Sequence, residues 1–172
     1  MAIYHYTTGT RLHDIAKSGV LRTFPERPVF PACGVVWLTT NAVMECSVLD
    51  EDRGAPQAFA AKHHGLYRFV VHKKLPMQLF RWHRLTAAMR LHWSSKKNLA
   101  AWAIRVGANT DEWLGVLQSL PLEYLGLERF EVDGSWRPVS LEDALAMTPP
   151  PMPRLVEQGG RYRHRHMGAG FR

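Results

Sequence analysis

Cysteine is scarce in this chain of 172 residues: Cys33 and Cys46 are the only two. No Cys-x-x-Cys pair or Cys/His cluster surrounds them, which excludes a disulfide framework and points to reduced thiols in a cytoplasmic setting. The nine histidines supply no metal-binding frame either, because neither His-x-x-x-His nor His-x-Glu occurs, and no metal is expected. Long apolar runs are missing. No stretch approaches the roughly 18 residues of a membrane helix, so no membrane partner is expected. The opening Met-Ala-Ile-Tyr-His has neither the basic nor the apolar region of a secretory signal. The sequence also lacks Gly-x-Gly-x-x-Gly, which excludes a dinucleotide held on a doubly wound sheet. Neither Ser94-Ser95 nor the cysteines carry a nucleophile signature, and no internal repeat is visible.

The residues that are present describe a globular domain. Hydrophobic content is 46%, ordinary for a chain long enough to bury a core. The formal charge of +7 favours an acidic partner, nucleic acid above all. Part of that excess sits at the end of the chain. Residues 149–172 hold Arg154, Arg161, Arg163, Arg165 and Arg172 against Glu157, a net of +4 that leaves about +3 for residues 1–148. The chain therefore divides into a domain, 1–148, and a flexible basic tail rich in Pro, Gly and Arg, 149–172. Phosphate contacts and stacking by Tyr162 would let the tail bind nucleic acid.

Aromatic and β-branched residues at 3–7 predict a strand. Thr8 or Thr10 can cap a helix carrying Leu12, Ile15 and Ala16, and Gly19 stops it. Val20-Leu21 reads as a short strand. A loop follows over 22–34, punctuated by Pro25, Pro28, Pro31 and Gly34 and long enough to cover a ligand. A strand at 35–40 leads to Asn41, a cap for a helix through Met44 and Val48. Residues 66–71 alternate as a half-buried strand. Helices are expected over 77–93 and 97–106, with Trp82, Trp93 and Trp102 in the core. Strands return at 113–117, 127–132 and 136–139, the last two around an Asp133-Gly134 hairpin. A short helix over 141–147 closes the domain. This order is α+β, not alternating β/α.

Two strand ends stand out as chemistry-bearing. Tyr4-His5-Tyr6-Thr7 and Trp37-Leu38-Thr39-Thr40 each set polar side chains beside aromatic ones, which suits a flat heteroaromatic ring linked to a ribose. A neutral imidazole at His5 can both donate to and accept from a ribose hydroxyl. Tyr6, Trp37, Thr7, Thr39 and Thr40 complete the candidate binding set. Among the carboxylates, Glu112 stands at the mouth of an apolar strand, where desolvation would make it matter. Glu123 follows Leu120-Pro121-Leu122 as a turn or cap residue, while Glu128 and Glu131 lie on a strand entering a hairpin.

In this order the segments resemble the ADP-ribosyltransferase superfamily, in particular its DarT-type DNA-modifying branch and small bacterial relatives. The likeness rests on His5 and Thr7, on Leu12 and Ile15 followed by Ser18-Gly19-Val20-Leu21, and on Trp37-Leu38-Thr39-Thr40-Asn41 with Met44. It is completed by Glu112-Trp113-Leu114-Gly115-Val116 and Leu120-Pro121-Leu122-Glu123, and it spans residues 3–49 and 107–139. Where the DarT-type pattern has an Arg shortly after the Asn, this chain has Ala42-Val43. The resemblance implies a split β-sheet core with a helical middle. It also implies NAD as cosubstrate, a catalytic Glu at 112 with Glu123 or Glu131 as rival, and transfer of ADP-ribose to nucleic acid or protein. A toxin-like role would add an antitoxin or immunity partner. The same resemblance accommodates an NAD glycohydrolase or a non-catalytic binding module. RNA 2′-phosphate transfer is a third course, with Arg81, Arg84 and Arg90 available for the phosphate.

Overall fold

Alternation along the strands decides the architecture. The computed structural model describes residues 2–23, 34–49, 56–71 and 77–150. It shows a mixed α+β domain built on one seven-stranded, antiparallel sheet. The strands are β1 (Ile3–Thr8), β3 (Val36–Thr39), β4 (Leu66–Val71), β5 (Phe80–Arg81), β6 (Trp113–Val116), β8 (Leu125–Phe130) and β9 (Trp136–Pro138). Their spatial order is β5-β6-β3-β1-β4-β8-β9. A separate two-stranded ribbon pairs β2 (Val20–Leu21) with β7 (Leu120–Pro121). The helices are α1 (Gly9–Ser18), α2 (Cys46–Leu49), α3 (Pro56–Lys62), α4 (Trp82–Ala88), α5 (Trp93–Arg105) and α6 (Leu141–Ala146).

Because strand side chains alternate between faces, the paired registers assign two opposite surfaces. Val36, Leu38, Phe69, Val71, Leu114, Val116 and Leu127 form one face and pack with Leu12 of α1 and Ala144 of α6 in the main core. The other face carries two smaller clusters. Trp113 packs with Trp82 of α4 and with Leu99 and Ala103 of α5. Leu66 and Phe130 pack with Leu49 of α2 and Phe59 of α3. Gly115 lets α4 lie directly on β6, since a Cβ there would come within 2.6 Å of Leu85 Cδ2. Between these two helical caps the second face carries Tyr4, Tyr6 and Arg68.

Ladder lengths along the sheet are unequal. β1 pairs with β4 over six residues, and β3 with β6 over four. β1 and β3 share the single pair Tyr4↔Thr39.

Several expectations change. Asn41 does not cap a helix running to Val48, because the helix begins only at Cys46. The region 77–93 is not one helix: it opens with β5, and α4 ends before Met89. Arg90 then adopts a left-handed φ of 52° that turns the chain into α5. α3 had no counterpart in the sequence reading. Trp82 is buried as expected, but Trp93 is 69% exposed. The basic tail beyond Pro150, Cys33 and the loop residues 24–33 lie outside the described residues.

Candidate active site at the ends of β1, β3 and β6

β3 ends where β6 begins. The register Thr39↔Trp113 sets Thr40 beside Glu112, and the Thr40 N–H donates to the Glu112 carbonyl at 3.0 Å. Asn41 then uses both ends of its amide. Its Nδ2 donates to Glu112 Oε2 at 3.0 Å, while its Oδ1 accepts from the Val43 and Met44 amides at 3.0 and 3.2 Å. The second pair of bonds is the local turn chemistry that Asn favours. The first holds a carboxylate, which the isosteric Asp, an acceptor only when ionised, could not do. From the other side, Asn109 Oδ1 accepts from Asp111 N–H at 3.0 Å and caps the one-turn helix Thr110–Glu112. Glu112 is thereby fixed by backbone and side chain, with no partner for Oε1 among the described residues.

A buried arginine stands behind this turn. Arg68 Nε pairs with Glu128 Oε2 at 2.6 Å, with side-chain exposures of only 8% and 22%. Its Nη1 donates to the Ala42 carbonyl and to the Tyr6 hydroxyl at 3.3 Å. The guanidinium lies between two rings, 4.2 Å from the centroid of Tyr4 and 4.5 Å from that of Trp136. Tyr6 donates in turn to the Asn41 carbonyl at 2.8 Å, and Trp136 Nε1 donates to the Val43 carbonyl at 2.9 Å. Carbonyls 41, 42 and 43 are thus each held by a side chain from the sheet. Burial, opposed by the Arg68 bond, pushes the Tyr6 hydroxyl up to about 12, so it remains a donor at neutral pH. A guanidinium thus reaches the turn after Asn41 from β4.

The local field is negative. Glu45 is 7% exposed and accepts from Ser47 N–H at 3.2 Å. Burial, followed by the charges of Glu45 and Glu112, raises the Cys46 thiol above its usual range. Both carboxylates are therefore felt at one point, where they disfavour the thiolate form of Cys46.

His5 lies on the opposite face of β1 from Tyr4 and Tyr6. Its Nδ1 is 2.8 Å from the Trp37 carbonyl, and burial lowers its pKa despite that bond. A carbonyl only accepts, so neutral His5 carries its proton on Nδ1 and leaves Nε2 as an acceptor. The register puts His5 two strands and about two residues from Glu112, roughly 12 Å at ordinary sheet spacings.

Of the expected binding residues, Thr39 and Thr40 come together with Glu112, the expected catalytic carboxylate. Thr39 is buried, and its Oγ1 accepts from Asn41 N–H at 3.1 Å. Tyr6 reaches the same turn as part of its support. Trp37 packs edge-to-face on Trp113, with centroids 5.7 Å apart, which commits most of its ring to the aromatic cluster. Thr7 is 3% exposed on the His5 face. Glu123 sits apart, exposed in the turn Leu122–Tyr124, where it raises the Tyr124 hydroxyl. Glu128 is committed to Arg68, and the Glu131 amide closes the β8–β9 hairpin. The sequence reading missed Arg68 and Glu45, and took Tyr4 only as an aromatic neighbour of His5, not as a ring under a guanidinium. The one signal for Arg68 was a lone charge inside the apolar run Leu66–Val71.

Neither a protein-family model, a curated protein nor a solved structure matches this chain. Among the described residues no helix is long and apolar enough to cross a membrane, and no cluster of His, Cys, Asp and Glu could hold a metal ion.

Proposed function

We propose that the chain is an NAD-consuming mono-ADP-ribosyltransferase with a macromolecular acceptor, and that Glu112 is its catalytic carboxylate. The observation that carries this reading is the anchored Glu112 at the junction of β3 and β6, with buried Glu45 adding a second negative charge nearby. Cleaving the bond between ribose C1′ and the nicotinamide nitrogen sends the bonding pair to nicotinamide and leaves positive charge on the sugar. Preorganised carboxylates stabilise such charge most where water is excluded. Glu112 Oε1, without a partner among the described residues, accepts a hydrogen bond from the ribose 2′-hydroxyl and orients the acceptor. The acceptor atom then bonds to C1′, and its proton is released to solvent water.

His5 Nε2 accepts from a hydroxyl of the adenosine-side ribose, across a span that half a dinucleotide can bridge. Thr40 is available beside the nicotinamide ribose. The single ladder pair between β1 and β3 agrees with a split sheet of the kind the superfamily resemblance implies. The competing reading, a non-catalytic binding module, gains from the commitment of Trp37 to the aromatic cluster, which leaves less of a wall for nicotinamide.

Nicotinamide release from NAD tests the choice, with Glu112→Gln as the diagnostic variant. Release by the native chain, abolished in Glu112→Gln with NAD binding retained, is the expected result. Equal release by both proteins removes Glu112 from the mechanism. Absence of release together with absence of NAD binding by calorimetry leaves the binding module. Glycohydrolase action would appear as release that no DNA, RNA or protein additive stimulates.

A further inference from the structure

Charge is distributed very unevenly along this chain. Residues 54–110 contain ten lysines and arginines and no aspartate or glutamate. The acidic residues lie before and after that stretch. Within it, α4, the turn after it and α5 carry Arg84, Arg90, Lys96, Lys97 and Arg105, and β5 contributes Arg81 immediately before α4. All are exposed except Lys96, which is half-buried. None of the six forms an ion pair with a described residue. Their side chains are thus not committed to holding the fold.

Arg84, Arg90, Lys97 and Arg105 lie on the outer side of this helical layer, whereas Arg81, paired with Leu114, follows the opposite face of the sheet and Lys96 shares the side of α5 that carries buried Leu99 and Ala103. Trp82 and Met89 from the α4 side and Leu99, Ala103 and Trp102 from α5 pack into the same aromatic cluster around Trp113. With their inner sides sharing one cluster, their outer sides face solvent together. On α5 that outer side is Trp93, Lys97, Ala101 and Ile104, at the i, i+4, i+8, i+11 spacing of a single helix face. Trp93 is 69% exposed. No acidic residue occupies the first turn of α5 to neutralise the cations that follow it.

We propose that the outer surface of α4 and α5 binds single-stranded nucleic acid, with Arg84, Arg90, Lys97 and Arg105 on the phosphates and Trp93 stacked on an unpaired base. Unpaired bases offer the free ring face that an exposed indole needs. An anionic lipid surface is disfavoured because the large apolar side chains, Trp93 and Ile104, stand about 16 Å apart along the helix and form no continuous face for insertion. The surface leads to the candidate active site: α5 ends at Arg105, and the chain reaches Glu112 seven residues later. A strand lying here would therefore present its bases or ends to Glu112. Binding itself stands independently of the enzymatic reading, which it would supply with an acceptor class.

The test is fluorescence anisotropy of labelled oligo(dT) and of a labelled duplex with the full chain, over a salt series and without NAD. Expected are tighter binding of oligo(dT) than of duplex and a strong loss of affinity with salt. Lys97→Gln/Arg105→Gln should flatten the slope of log affinity against log salt by about 1.4, at roughly 0.7 per phosphate contact on a single strand. Trp93→Ala should weaken oligo(dT) binding roughly tenfold with the slope unchanged, and Trp93→Phe should restore most of the loss. These side chains are exposed, and unchanged circular dichroism would verify folding. The proposal is overturned if no nucleic acid binds, or if the α5 variants bind as well as the native chain. It is also overturned if Arg161→Gln/Arg163→Gln/Arg165→Gln alone removes binding, which would place the contact on the tail. Binding of phosphatidylserine vesicles but not oligo(dT), sensitive to Trp93→Ala, would assign the surface to lipid. Because NAD is absent throughout, none of these outcomes depends on whether Glu112 is catalytic.

Discussion

Replacing Arg68 by Met probes the support of the candidate site most directly. The native guanidinium is 8% exposed as a side chain, is paired at 2.6 Å with a carboxylate that is 22% exposed, and lies between two aromatic rings. Methionine fills much of the same volume, so the loss is chiefly electrostatic. Glu128 would be left as a largely buried carboxylate without its partner, and the Ala42 carbonyl and Tyr6 hydroxyl would each lose a donor. Removing one member of a buried ion pair typically costs about 3–5 kcal/mol, because the remaining charge is stranded. The lost cation–π contacts are of order 0.5–2 kcal/mol each but are partly replaced by the apolar stem. A net destabilisation of about 3–5 kcal/mol follows, or a fall in Tm of about 6–20 °C for a domain of this size. Arg68→Met/Glu128→Met removes the stranded charge as well and should recover a large part of that loss. Urea denaturation of the four proteins in a double-mutant cycle measures the coupling. A cost below about 1 kcal/mol for Arg68→Met, or a double variant as unstable as the two single losses added, would refute the argument.

Three further outcomes follow from particular contacts. Gly9→Ala would drive a methyl group into the His64 carbonyl, where the Gly9 amide already donates to the Gly65 carbonyl at 2.9 Å; since backbone cannot yield as a side chain can, a loss of about 3 kcal/mol is expected in urea denaturation. Burial holds the folded pKa of His5 below the ordinary imidazole value of 6.5, so the unfolded chain binds more protons between the two values. Stability should therefore fall as pH drops below 6.5, and His5→Gln should remove that component from a pH series of denaturation midpoints. Asn41→Ala removes the Glu112 contact and the turn bonds together. It should reduce nicotinamide release more than it changes NAD affinity, read as kcat against KM, if the carboxylate must be held in place.

Much of this fold is legible from local patterns, because local chemistry and tertiary packing agree there. β1, α1 and its left-handed Gly19 cap, β2, β4 and the Asp133-Gly134 hairpin all follow from residue type and spacing. The misreadings have tertiary causes. β5 is two residues long and exists as a strand only because Gly115 and Leu114 of β6 pair with it. The break between α4 and α5 carries neither Gly nor Pro, and Arg90 takes the left-handed turn without a sequence signal. At the site, Glu112 was legible from its place before an apolar strand. Asn41 was noticed for the wrong reason, since its amide holds a turn and a carboxylate 71 residues away instead of opening a helix. Arg68 was invisible because alternation predicts a solvated side chain at its position, and only the Tyr4 and Trp136 rings convert that face into an enclosed one.

The lone Tyr4↔Thr39 pair between β1 and β3 has a mechanical meaning. It divides the sheet into two plates, β5-β6-β3 and β1-β4-β8-β9, each well laced within itself. Across the seam the main-chain lacing is thin, and side chains take over: His5 to the Trp37 carbonyl, Tyr6 and Arg68 to the carbonyls of Asn41 and Ala42. Side-chain fasteners can be released one at a time without unravelling either plate. Glu112 rides on one plate and His5 on the other, so a small rocking of the plates would change the reach between them while leaving both local geometries intact.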